Sequence, residues 1–261
     1  MDPKHTLDLF QSDIQFFFTD IDDTMTTHGH LTSEAYRCLW KLREKKIKVI
    51  PVTGRPAGWC EMIARLWPVE GVIGENGAFY FRYLNKKMHR EYDPATQPIE
   101  TNQLKLSAIK KEILANVKSV AVASDQFCRQ MDLAIDFCED VPKASEEDIQ
   151  KVVSIFKKHG AQAKVSSIHI NGWFGNYNKV SMTKFFLKKE FNLDLSKVQE
   201  KIAFSGDSPN DEPMFELFEN SFAVANINQF MSQIKHKPKY IAKNECGLGF
   251  VEIVDKILSK K

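Results

Sequence analysis

The chain has 261 residues, enough for one large domain or for a core carrying a smaller insertion. Its hydrophobic fraction of 43% and charged fraction of 27% are ordinary for a globular protein, and a net charge of +2 gives no reason to expect nucleic acid or an anionic membrane as partner. No apolar run approaches the roughly 18 residues that span a bilayer. The five cysteines, Cys38, Cys60, Cys128, Cys138 and Cys246, are scattered without a C-x-x-C pair, which argues for reduced thiols and against a zinc site. The start, MDPKHTLDLF, lacks the basic-then-apolar layout of a secretory signal, so a cytoplasmic protein is expected, and nothing demands more than a monomer.

In chain order, the first strong signal is FFFTDIDDT, Phe16 to Thr24. Aromatic and β-branched residues from Ile14 to Phe18 suit a strand buried on both faces of a parallel sheet. The run ends in Asp20, Asp22 and Asp23, three carboxylates that repel one another and ask for a cation. A polar loop, Met25 to Leu31, precedes a helix from about Ser33 to Lys46, with Ala35, Leu39 and Leu42 at helical spacing. IKVIPVTGR is a second apolar strand ending at Thr53, Gly54 and Arg55, and Pro56 opens a helix that Pro68 stops. VEGVIGENGAFYF reads as two strands joined by a Gly-Glu-Asn-Gly turn.

From about Arg82 to Asn176 the texture changes. A polar lead from Tyr92 to Gln103 precedes a helix near Leu104 to Val117. A strand then alternates Met131, Leu133, Ile135 and Phe137 with Gln130, Asp132 and Asp136. A helix over Glu146 to His159 leads to one strand, KVSSIHING, in which Ser167, His169 and Asn171 alternate with Ile168 and Ile170. Half-polar strands predict an antiparallel sheet with one covered face, hence a separate α+β unit. The βα pattern then resumes: a helix over Ser181 to Phe191, the strand KIAFSGDSPND, a helix over Asp211 to Phe218 and the strand SFAVAN follow. A helix over Asn228 to Lys235, the strand KYIAK and a closing helix over Gly249 to Ser259 complete the chain.

Three strands thus finish in reactive groups: Asp20 with Asp22, Thr53, and Asp207 with Asn210 and Asp211. In a parallel sheet with short loops these ends share one edge, where α/β sheets keep their ligands. Lys179, placed just before a helix, adds a cation. Hard carboxylate oxygens suit Mg²⁺, which leaves positions for phosphate oxygens. Thr53 and Lys179 can donate to those oxygens.

D-I-D-D-T, V-T-G-R at Val52 to Arg55, Lys179 and G-D-S-P-N-D at Gly206 to Asp211 resemble, in order and spacing, the four motifs of the haloacid dehalogenase-like phosphohydrolases. The insertion between the threonine and lysine motifs is similar to a type C2 cap of subfamily IIB, the group of sucrose, trehalose and mannosylglycerate phosphate phosphatases. The resemblance implies a doubly wound, Rossmann-like α/β core, residues 1–82 and 177–261, with an inserted α+β cap over 83–176. It implies a Mg²⁺-dependent phosphatase acting on a small phosphorylated metabolite, a sugar phosphate, through an aspartyl phosphate. Asp20 is then the nucleophile and Asp22 the acid/base, with Thr24 steadying the loop and Asp22. Thr53, Gly54, Lys179 and Asn210 hold phosphate, and Asp20, the carbonyl of Asp22 and Asp207 hold the metal, with Asp211 serving it through water or orienting Lys179.

Asp23 stands where the family usually has glycine; it reads either as a solvent-facing loop residue or as extra charge near the metal. Lys184 is the competing lysine, disfavoured because it lies inside the helix. Arg55 is expected to form a structural ion pair, and His28, His30 and Trp59 to be loop and packing residues. Glu75 and Asn76 in G-E-N-G look like the mannosylglycerate-phosphate type. With His169 and Asn171, on the insertion's polar face, they are candidates for reading the substrate. The alternatives are a phosphomutase of the phosphomannomutase type, which shares fold and cap, and a non-catalytic phosphate- or metal-binding module. Intact Asp20, Asp22, Lys179 and Asp207 argue against the module.

Overall fold

A computed structural model describes residues 6–166 and 168–260. Strand β1 (Phe16–Thr19) is followed by a small flap of β2 (Thr26–Thr27) and β3 (His30–Leu31), then by α1 (Ser33–Glu44), β4 (Lys48–Pro51) and α2 (Ala57–Leu66). An antiparallel sheet of β5 (Val72–Gly74), β6 (Phe79–Leu84) and β7 (Lys87–Tyr92) leads into the insertion. There α3 (Ile99–Asn116), β8 (Ala121–Val122), β9 (Asp132–Asp136), α4 (Glu146–Lys158), β10 (Gln162–Val165) and β11 (His169–Trp173) follow. The chain returns through α5 (Lys179–Phe191), β12 (Ile202–Gly206), α6 (Glu212–Leu217), β13 (Asn220–Ala223), β14 (Tyr240–Ile241) and α7 (Cys246–Leu258).

Five parallel strands, in the order β14-β13-β12-β1-β4, form the core sheet, with β1 at its centre between β12 and β4. The β1 side chains alternate between two apolar layers. Phe17 packs with the inner faces of α1, α2 and α7, whereas Phe16 and Phe18 pack with Met182 and Phe186 of α5 and Phe215 of α6. Both faces are therefore covered, which is why FFFT reads as a continuous apolar run rather than an alternating one. Polar groups close the helix starts: Thr32 accepts from the Ala35 amide, Ser145 from Asp148, and Asn178 and Ser181 form a reciprocal capping box at α5.

The insertion is a four-stranded antiparallel sheet, β10-β11-β9-β8, covered on one face by α3 and α4. Its apolar cluster, built on Ile109, Ile135, Val152, Phe156 and Ile170, is separate from the two clusters of the core. Among the described residues, no helix is long and apolar enough to cross a membrane.

Several expectations are corrected. The boundary expected after residue 82 falls inside the β6–β7 hairpin, where Arg82 pairs with His89, and Met88 and Tyr92 pack on the core cluster. Strand β7 reads as polar because most of its residues face water. Helix α3 begins at Ile99, five residues before Leu104, because Pro98 can occupy its cap. KVSSIHING is not one strand but parts of the two arms of the β10–β11 hairpin; Ser167, placed in that strand by its alternation, lies outside the described residues. Lys179 is the first residue of α5, behind the Asn178 cap, rather than a residue ahead of it. The helix expected over Asn228 to Lys235 is a 3₁₀ stretch over Ala225–Phe230.

Candidate active site

Strands β1 and β12 are adjacent and parallel, so the loops that leave their carboxyl ends meet. The Asp20 amide donates to the Ser205 carbonyl at 2.9 Å, continuing the ladder one residue past β1 and fixing the direction of the aspartate. Lys179 reaches in from the first turn of α5 and donates from one Nζ to Asp20 Oδ1 at 2.7 Å and to Asp211 Oδ1 at 2.8 Å. The Asp207 amide donates to Asp211 Oδ2 at 3.2 Å, and Thr24 Oγ1 to Asp207 Oδ1 at 3.2 Å. Thr24 thus braces Asp207 rather than Asp22, as had been expected, because its hydroxyl faces the β12 loop.

These groups are buried, and burial governs their charge. Asp20 is pushed up to about 8, first by loss of water and then by Asp211 and Asp22, against the pull of Lys179. Asp207 is driven well above its ordinary value by burial and by Asp211, Asp20 and Asp23. Burial opposes the ammonium of Lys179, but Asp20 and Asp211 outweigh it and hold it above the usual range. Asp20, Asp207 and Asp211 each offer an oxygen within 4.8 Å of the others. Ionising all three carboxylates beside one ammonium would leave negative charge uncompensated, a cost that a bound cation removes, and every donor is a hard oxygen. The set fits Mg²⁺ by charge and by ligand type.

Asp22 turns toward Arg55, whose Nε lies 3.0 Å from both its oxygens and whose Nη2 lies 2.8 Å from Oδ1. Arg55 also meets Glu139 of the insertion at 2.9 Å and rests 4.5 Å above the Trp59 ring. The structural ion pair foreseen for Arg55 is therefore present, and its partner is Asp22. The fully buried Thr53 accepts the Arg55 amide at 3.0 Å, and among the described residues no acceptor takes its O–H. Gly54 leaves room for Asn76, since a Cβ there would lie 3.3 Å from Asn76 Nδ2. Asn210 sits in the 3₁₀ turn after β12, taking the Ser208 hydroxyl at 2.6 Å. Lys184 is exposed on the outer side of α5.

The insertion's polar face covers this edge. Asp20, Asp22, Asn76, Asp207, Asn210, His169 and Asn171 line one cleft, together with Arg129 and Ser166. The enclosed space is about 30 Å³, on the order of two waters. Among the described residues, Asn76 Nδ2 and His169 Nε2 are buried there without an aligned hydrogen-bond partner. Glu75 does not line the cleft. It is fully buried beneath it, accepting from the amides of Ala57, Gln130, Met131 and Asp132 at 2.5–3.2 Å, and so ties α2 to the insertion. Asp132 is bonded to Arg129 and to Asn171, and Asp136 caps the turn at 138–140.

Sequence reading did not single out Arg129 or Glu139. Arg129 donates to the Gly54 carbonyl at 2.9 Å, and only the Asp125–Arg129–Asp132 spacing hinted at a buried pair.

The chain matches the haloacid dehalogenase-like hydrolases over residues 17–105 and 83–253. It belongs to that family. A phosphoglycolate phosphatase from Methanothrix thermoacetophila is 28% identical over 246 residues, 93% of this chain and 96% of its own length. Phosphoglycolate phosphatase 2 from Saccharolobus solfataricus is 42% identical over 66 residues, which are 25% of this chain and only 27% of that protein. A crystal structure of a Thermoplasma acidophilum protein shares the fold with a TM-score of 0.71, at 16% identity over 94% of this chain and 98% of that one. The α/β core with an inserted antiparallel cap is thus the fold of the haloacid dehalogenase-like family member, and the curated relatives are phosphatases.

Proposed function

We propose that this hydrolase is a Mg²⁺-dependent phosphatase of a small phosphorylated metabolite, working through an aspartyl phosphate on Asp20. The observation that carries the reading is the single ammonium of Lys179 shared between Asp20 and Asp211 at the sheet edge, beside Asp207 and under a polar cap. An Asp20 oxygen attacks phosphorus while the bond to the leaving oxygen breaks, and Asp22 gives that oxygen a proton. Asp22 then takes a proton from water as the water attacks the aspartyl phosphate, returning Asp20 and inorganic phosphate. Lys179, the Thr53 hydroxyl, the backbone at Gly54 and Asn210 neutralise and orient the phosphoryl oxygens. Asp20, Asp207, Asp211 and the Asp22 carbonyl would hold Mg²⁺, which when bound supplies positive charge against those oxygens.

In this reading Asn76, His169 and Asn171, which line the cleft, read the substrate, and Glu75 supports them from below. With room for only about two waters, the cleft must open for any phosphorylated metabolite, so its size does not rank the candidates. A sugar phosphate and the phosphoglycolate of the relatives therefore both belong in the panel.

The experiment is release of inorganic phosphate from phosphoglycolate, sugar phosphates and p-nitrophenyl phosphate, with product analysis for an isomerised sugar phosphate. Wild type should release phosphate and Asp20→Asn should not. Release by Asp20→Asn within tenfold of wild type would overturn the covalent route, and isomerisation without release would make the enzyme a mutase.

A further inference from the structure

Arg55 stands between two carboxylates that belong to different parts of the molecule. Its fork grips Asp22 of the core, and the same Nη2 reaches Glu139 Oε1 of the cap at 2.9 Å. A second cap carboxylate, Asp125, lies 3.7 Å from Nη1. The guanidinium is 5% exposed and backed by Trp59, so it has little freedom to swing elsewhere. On the cap side Glu139 is equally fixed. Its amide donates to Asp136 at 2.7 Å, within a turn where Asp136 also takes the amides of Cys138 and Asp140. Its other oxygen lies 2.8 Å from His169 Nε2, a contact off the line of the ring N–H.

We propose that Glu139 is a positioning residue that acts through Arg55: the cap, on closing, completes the seat of Asp22. The inference rests on the reading of Asp22 as the acid. Arg55 alone can hold Asp22, but only the closed cap supplies the opposing carboxylate that fixes where the guanidinium lies. Planar, bidentate geometry makes the direction of Asp22 follow the direction of Arg55. Proton transfer then becomes efficient only when the cap has come down over the substrate. The step concerned is the first one: as the P–O bond breaks, its electron pair goes to the leaving oxygen and the Asp22 proton goes with it. Arg55 and Glu139 exchange no proton. The low pKa of Glu139, pulled down to about 2 by His169 and Arg55, agrees with a carboxylate held as an anion in this place.

The test compares two leaving groups in the full chain with Mg²⁺. Alkyl phosphates such as phosphoglycolate need a proton on the departing oxygen, whereas p-nitrophenolate departs without one. Glu139→Gln and Arg55→Lys should lower the ratio of alkyl to aryl kcat/KM, which reports the first step ahead of the shared aspartyl phosphate, at least tenfold. The double variant should lower it no further than Arg55→Lys alone, since Glu139 acts through Arg55. A ratio within twofold of wild type in Glu139→Gln, with both substrates slowed alike, would mean that Glu139 is only structural and would overturn the proposal. If Arg55→Lys does not fold, Glu139→Gln decides alone, because the Glu139 side chain is 29% exposed and its loss leaves no cavity. Wild type that hydrolyses neither phosphate would overturn the phosphatase reading itself, a result distinct from an unchanged ratio.

Discussion

Gly77→Ala is a sharp probe of how the turn after β5 supports catalysis. Gly77 adopts φ +105, and a Cβ there would meet the Asn178 carbonyl oxygen at 2.2 Å and the Lys179 amide nitrogen at 2.8 Å. Backbone strain at such an angle costs about 1–3 kcal/mol. Forcing a methyl against a helix start costs about 1–3 kcal/mol more. At about 2–4 °C per kcal/mol for a chain of this size, the summed cost should lower Tm by about 4–24 °C. Relief of the clash must push the start of α5 away, and with it Lys179, whose Nζ lies 2.7 Å from Asp20. A displacement of about 1 Å costs on the order of 100-fold in rate. Gly160→Ala is the control: φ is +75 and, among the described residues, nothing lies within 4 Å, so only strain of about 1–2 kcal/mol remains. Thermal melts and phosphate release should therefore separate the two variants. If Gly77→Ala melts within 2 °C of Gly160→Ala (about 1 kcal/mol) and keeps wild-type turnover, the reasoning is refuted.

Removing metal with EDTA should abolish phosphate release and added Mg²⁺ restore it, while Ca²⁺, with its larger and looser shell, should support little turnover; full activity without metal would count against the site. The Glu139 carboxyl titrates near 2 in the folded state against an ordinary 4.5, so its stabilisation is present above 4.5 and lost as pH falls toward 2. The Tm gap between wild type and Glu139→Gln, discounted to about 1 kcal/mol for solvent screening, should accordingly close on acidification, and a gap that persists at pH 2 would contradict the assignment. His169→Ala and Asn171→Ala should reduce kcat/KM for the natural substrate more than for p-nitrophenyl phosphate, because only the former offers groups for the cap to read. Equal losses would remove both residues from recognition.

The core was legible because its chemistry lies within a few residues of continuous apolar strands. Asp20 follows Phe18 by two positions, Thr53 follows β4, and Asp207 follows β12, so locating the strands located the edge. The cap was less so. Strand β10 is a mostly exposed edge and β8 has two residues, so neither carries an apolar pattern, and the hairpin was read as one strand. Buried charge was the hardest feature to foresee. Glu75 looked like a turn residue exposed to substrate, yet three of its four amide partners lie 55–57 residues away, and the partner of Thr24 lies 183 residues on. No local pattern marks a carboxylate whose neighbours arrive only when two units of the chain close together.

The seam between cap and core is made largely of charge. Arg129 crosses to Gly54, Arg55 to Glu139 and Asp125, and Glu75 to the amides of 130–132, while Met131 and Trp173 of the cap join the apolar cluster of the core. Ion pairs taken out of water gain about as much attraction as they lose in hydration. Parting them and readmitting solvent therefore changes the free energy little, whereas an oily seam would resist by roughly 25 cal/mol for each Å² exposed. A seam of that kind would part and close at little net cost, so a ligand that bound better beneath a closed cap would need only a modest difference in affinity to set its position.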